Sequence, residues 1–113
     1  MRYLLLLHVE ESVWPKLTPD EQAEGMAAYA AYKDALGAAG ALISSGRLAP
    51  SASALAVRTI GGKPVTMDGP FAETKEQIAG YYLIEAPDHA AALDWAQRCP
   101  AAGYGAVEAR QVL

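Results

Sequence analysis

The chain has 113 residues, 52% hydrophobic and 19% charged, which is one domain's length with enough apolar material for one core and excludes a disordered chain. Its net charge is −4 and its nine basic residues are scattered from Arg2 to Arg110, so neither a nucleic-acid backbone nor an anionic membrane surface meets a basic stripe. The apolar run Tyr3–Leu7 is far short of the ~20 residues that span a bilayer, no basic leader with a cleavage site opens the chain, and Cys99 is the single cysteine, so the expectation is a cytoplasmic protein without disulfides.

Tyr3-Leu4-Leu5-Leu6-Leu7-His8-Val9 is short and apolar throughout, as in a strand covered on both faces. Thr18-Pro19-Asp20-Glu21 supplies a cap hydroxyl, a proline at the first helical position and an acid at the third, a capping box that starts a helix at Pro19. The alanine-rich stretch that follows contains Met26, Tyr29, Lys33 and Leu36, and Gly37 and Gly40 mark its end. Ala41–Leu48 reads as a second strand, interrupted by Ser44-Ser45-Gly46. Ser53–Ile60 and Lys63–Met67 flank Gly61-Gly62, the dipeptide of a tight hairpin. Asp68-Gly69-Pro70 marks a turn, and the polar Glu73–Gln77 reads as a further turn or one helical coil. Gly80–Ala86 forms a strand, Asp88 caps a helix running to Cys99 before Pro100, and Gly105–Val112 is the last strand.

This order predicts one α+β domain over residues 1–113: a ferredoxin-like, split βαβ antiparallel sheet with both helices on one face and an inserted β-hairpin. On the first strand Leu4, Leu6 and His8 alternate with Tyr3, Leu5, Leu7 and Val9, so both faces read as buried although the chain's own helices cover one. The second face is therefore expected to meet another copy, giving a homodimer with a cavity between two sheets for a small-molecule ligand.

Asp68-Gly69-Pro70-Phe71-Ala72-Glu73-Thr74-Lys75-Glu76, continued by Gln77-Ile78-Ala79-Gly80-Tyr81-Tyr82-Leu83-Ile84-Glu85, resembles the signature of the DGPF branch of the YCII-related family. The resemblance extends to Tyr3–Leu7, the Thr18–Glu21 helix start, Gly40-Ala41-Leu42, Pro100-Ala101-Ala102 and Tyr104–Glu108. Gly103, Ala109 and Gln111 depart from the residues more usual there. The resemblance implies a dimeric α/β-barrel-like protein, in a superfamily that includes muconolactone isomerases and other small-molecule enzymes. Members of the DGPF branch often lie beside genes for alternative sigma factors. Some relatives in the wider group carry a His-Asp pair with dehydrochlorinase or hydrolase-like chemistry; this chain has no histidine between Thr18 and Gly40, where Tyr29 and Tyr32 stand instead.

Asp68 is either a turn residue whose carboxylate bonds nearby backbone or a base facing the cavity. His8, at the end of the first strand, is either an interface histidine or a proton carrier near neutral pH; Asp68 and His8 are the catalytic candidates. His89, just after a helix cap, reads as solvent-exposed. Tyr81 and Tyr82 point to opposite faces of one strand, so one enters the core and the other can offer its hydroxyl to a ligand. Tyr29 and Tyr32 share a helix face and either pack or reach the cavity. Arg47 and Arg110 can each hold a carboxylate, and Arg110 can equally pair with Glu108. Cys99 reads as a small apolar residue at a helix end. No metal-ligand spacing, dinucleotide fingerprint or nucleophile elbow occurs, so no cofactor or metal is expected. Three functions fit: a cofactor-independent enzyme moving a proton (isomerase, lyase or dehydrohalogenase), a ligand-binding or regulatory module linked to sigma-factor transcription control, and a purely structural dimer with a filled cavity.

Overall fold

Strict alternation along the first strand decides which side chains meet the helices. In the computed structural model, which describes residues 1–113, β1 (Arg2–Val9) buries Tyr3, Leu5 and Leu7 and leaves Leu4, Leu6 and His8 half-buried on the opposite face. β1 pairs antiparallel with β5 (Gln77–Glu85) on one side and β6 (Ala106–Val112) on the other. β2 (Leu42–Arg47) adds to the far edge of β5, giving the order β2-β5-β1-β6. β3 (Leu55–Ile60) and β4 (Lys63–Asp68) pair only with each other, as a hairpin inserted between β2 and β5. Gly61 and Gly62 turn it at φ 58° and 80°, the left-handed region where glycine lacks the steric cost of other residues.

α1 (Pro19–Ala38) begins at the predicted capping box: Glu21 N–H donates to the Thr18 hydroxyl and Thr18 N–H to the Glu21 carboxylate. Those bonds hold the Glu21 carboxyl below its usual range. Only Tyr32 and Leu36 of this helix are buried, so its alanines supply propensity more than burial. α2 (His89–Arg98) is capped by the Asp88 carboxylate on Ala91 N–H at 2.8 Å. Both helices pack on the Tyr3/Leu5/Leu7 face, where Leu5, Leu36 and Ile84 are fully buried and Ala92, Ala96 and Ala101 allow close approach. Each such large side chain contributes about 1.5–3 kcal/mol of hydrophobic stabilisation. The molecule is thus a two-layer α+β slab of 49 × 40 × 19 Å with one sheet face uncovered. No helix is long and apolar enough to cross a membrane.

The predicted elements are all present, with shifted ends. The second helix stops at Arg98 rather than Cys99, which is extended (φ −66°, ψ 132°) because a residue before proline is driven from helical geometry. Residues Ser51–Ser53 form a 3-10 turn, so β3 starts at Leu55 instead of Ser53. β5 starts at Gln77, ahead of the expected Gly80. Gln77 is drawn into the sheet by its side chain, which accepts from Glu11 N–H at 3.0 Å and donates to the Thr74 carbonyl at 2.6 Å.

Candidate functional site

The strand register arranges the uncovered face in rows. Ser44, Leu83, Leu4 and Arg110 make one row; Gly46, Tyr81, Leu6 and Glu108 make the next. In the third, His8 stands between Ile78 and Ala106, after a bulge between Leu7 and His8. An apolar strip of Leu4, Leu6 and Leu83 therefore has Tyr81 on one flank and Glu108 and Arg110 on the other, with His8 at its end.

His8 Nε2 lies 3.2 Å from Glu108 Oε1, and Arg110 reaches Glu108 Oε2 at 3.5 Å. A carboxylate only accepts hydrogen bonds, so with Glu108 ionised Nε2 carries the proton and Nδ1 keeps a free lone pair. The His8 side chain is 29% exposed, open enough to meet a ligand and confined enough to hold its orientation. Across the strip, the Tyr81 ring closes on Gly46 of β2, where an added Cβ would come within 2.7 Å of it. That approach brings the Tyr81 hydroxyl to 3.5 Å from the Ser44 hydroxyl.

His8 also ends an open groove of about 900 Å³ walled by Leu48–Ala56 on one side and Pro70–Ile78 on the other, including Ser51, Phe71 and Gln77. Both walls are tied to the chain just beyond β1. The Glu11 carboxylate accepts from Ser51 N–H at 2.9 Å and from the Ser51 hydroxyl, while Glu11 N–H is bound by Gln77. The groove thus combines apolar walls with one histidine, the carboxylates of Glu73 and Glu76 and a few hydroxyls and amides, a composition compatible with a small-molecule site.

The other candidates lie elsewhere. Asp68 is exposed at the end of β4, does not line the groove, and joins none of the chain's ion pairs. Its neighbours Pro70 and Phe71 do line it. Tyr82 is buried on the helix face, edge-on to Tyr32 at 5.1 Å. Burial, helped by nearby Cys99 and Tyr104, pushes the Tyr82 phenol up to about 12. Tyr32 donates to the Trp95 carbonyl at 2.7 Å, and Tyr29 bonds the Tyr104 hydroxyl; burial lifts both phenols well above the usual range. Arg47 lies over the Trp14 ring at 5.3 Å on the helix side. Of the seven candidates, His8, Tyr81 and Arg110 therefore share the uncovered face, and Tyr29, Tyr82 and Arg47 belong to the packed side.

Cys99 is buried as a small apolar residue, and burial raises its thiol. His89, expected in solvent, is exposed yet its Nδ1 bonds the Tyr3 hydroxyl and its ring stands edge-on to Tyr3. The pair lines a smaller cleft of about 420 Å³ between α2 and β6. No three His, Cys, Asp or Glu side chains converge in metal-binding geometry.

Sequence reasoning missed Glu108 as the partner of His8, and missed Glu11 and Gln77 as anchors of the groove. The alternation of Glu108 with Arg110 was the available signal; that β6 lies beside β1 is a fact of topology. A family model for the YCII-related domain matches residues 1–113. An uncharacterized protein of Rhizobium meliloti (strain 1021) is 38% identical over 97 residues, covering 86% of this chain and 78% of its own. Matched over its whole length and supported by that relative, the chain belongs to the YCII-related domain family.

Proposed function

We propose that this YCII-related protein, of the DGPF branch, is a cytoplasmic, cofactor-independent small-molecule enzyme whose site lies on the uncovered face of its ferredoxin-like sheet. The pairing of Glu108 with His8, which lines the end of the groove, carries this reading. His8 Nδ1 accepts a proton from a carbon acid, the bond's electron pair moves onto an adjacent carbonyl or expels a leaving group, and Glu108 stabilises the imidazolium. The Tyr81 hydroxyl and Arg110 are the donors on this face for the developing oxyanion. Asp68 enters as a second acid from the rim rather than from within the groove.

The active form in this reading is a homodimer in which two uncovered faces meet in the manner of a dimeric α/β barrel. Half-exposed Leu4, Leu6 and Leu83 support it, because a sheet face with a leucine strip is costly to leave in water. The alternative is a ligand-binding module acting in sigma-factor-linked regulation, favoured by the open groove of about 900 Å³.

The test is to incubate the protein in deuterium oxide with small carbonyl acids and phenols and follow exchange at carbon by proton NMR. Exchange or product that is lost in His8→Gln and sharply reduced in Glu108→Gln, with folding intact, is the expected result. Saturable binding without exchange assigns the regulatory reading, and neither binding nor exchange across the panel refutes the site.

A further inference from the structure

The β3–β4 hairpin leaves the main sheet and has no strand partner but itself. A lone two-stranded hairpin is marginal in water unless a face of it is covered. Its pleat puts Leu55, Val57 and Thr59 with Pro64, Thr66 and Asp68 on one face, and Ala56, Arg58 and Ile60 with Lys63, Val65 and Met67 on the other. The second face is covered in part by its own chain: Ala56 and Met67 are half-buried and Arg58 lies 5.7 Å over Phe71, while Ile60 and Val65 stay exposed. The first face is the barer one: Leu55 borders the open groove yet is 83% exposed, and Val57 is 68% exposed. Asp68 stands opposite Leu55 in the ladder on that same face.

The area says how large a partner is required. A folded monomer of 11.9 kDa exposes about 5,900 Å², whereas this chain exposes 7535 Å². Its radius of gyration is 15.9 Å, against about 13 Å for a compact domain of this length. The excess, about 1,600 Å² per chain, gives about 3,200 Å² for two copies, inside the range of obligate homodimers. The sheet's leucine strip and the hairpin's outward face are two apolar surfaces able to contribute to it.

We infer that the β3–β4 hairpin is an arm that reaches onto a second copy of this chain, packing Leu55 and Val57 at the β6 edge of that copy's sheet face and setting Asp68 against Arg110 of the partner subunit. This rests on the face-to-face dimer of the proposed function and deepens it, because each site then takes His8, Glu108 and Tyr81 from one chain and Asp68 from the other. Charge complementarity supports the contact: Asp68 has no ion-pair partner in its own chain, and Arg110 is 69% exposed with only the 3.5 Å contact to Glu108. An Asp68 carboxylate on Arg110 also leaves the charge of Glu108 free to act on His8.

Sedimentation across a concentration series tests the arm, with circular dichroism confirming that each variant is folded. The native chain is expected to be dimeric, with Leu55→Ser/Val57→Ser weakening association by about a hundredfold. Asp68→Arg is expected to weaken it as well, and Asp68→Arg combined with Arg110→Asp to restore it. If Leu6→Lys splits the dimer while Leu55→Ser/Val57→Ser and Asp68→Arg stay within about threefold of native, the arm is refuted and the face-to-face dimer survives. A native chain that is monomeric at about 100 μM refutes both. A reversal pair that stays weak refutes the Asp68–Arg110 contact.

Discussion

Gly46 is where a single methyl group separates the site from the scaffold. A Cβ there would lie 2.7 Å from Tyr81 Cε1 and 3.2 Å from the ring's Cζ and hydroxyl. Ordinary contact is about 3.5–4.0 Å, so in Gly46→Ala the ring must retreat by roughly 1 Å. For a tyrosine pivoting at its Cβ this is a swing of about 15°, costing below about 1 kcal/mol. Alanine gains back about 0.5–1 kcal/mol over glycine in a strand, so the predicted stability change is within about 1 kcal/mol. Under the proposed proton-transfer function, activity is predicted to suffer more: the Tyr81 hydroxyl leaves its place beside Ser44, and a 1 Å displacement of a positioning group can cost on the order of 100-fold. Gly80→Ala is the control, because its Cβ would meet the Gly46 carbonyl oxygen at 2.8 Å. A backbone oxygen in a ladder cannot swing aside, so that variant should lose more than about 2 kcal/mol. Urea unfolding gives the two stabilities, and NMR of the Tyr81 ring protons reports the displacement. Unmoved ring resonances in Gly46→Ala, or equal destabilisation of both variants, would refute the reasoning.

Leu5→Ala should cost about 2–5 kcal/mol, because Leu5 is fully buried in the core between sheet and helices, whereas Leu6→Ala on the uncovered face should cost the isolated chain less. Equal losses in urea unfolding of the monomeric chain, at a concentration too low for association, would show that the two faces are not distinguished as the structure has them. Thr18→Ala should remove about 1 kcal/mol by breaking the capping box, read as a lower unfolding midpoint. Burial raises the folded pKa values of Tyr29, Tyr32 and Tyr82 above the ordinary phenol value of about 10. The stability they represent is intact below about pH 10 and is lost as pH rises through the folded values, near 12 for Tyr82. Phenolate absorbance should therefore show a late group of tyrosines whose ionisation coincides with alkaline unfolding; a single transition near pH 10 in a still-folded protein would contradict their burial.

Local chemistry alone determined much of this protein. The capping box needs only Thr18 and Glu21 three residues apart, the Gly61-Gly62 turn needs only residues that tolerate positive φ, and the alternation of β1 separates Leu5 from Leu6 without knowledge of any neighbour. The family resemblance along Asp68–Glu85 was legible for the same reason, as a contiguous string. What only the tertiary structure decided was adjacency between segments far apart in sequence. His8 and Glu108 are one hundred residues apart, and they meet because β6 pairs with β1 rather than with another strand. Tyr81 and Tyr82 are equivalent as letters; the sheet's position beneath the helices buries Tyr82 among Tyr32 and Cys99 and leaves Tyr81 against Gly46. Asp68, the most conspicuous acid of its signature, ends on a hairpin whose outward face is largely exposed in its own chain. Side-chain periodicity fixes which way a residue faces, but only the pairing of distant strands fixes what it faces.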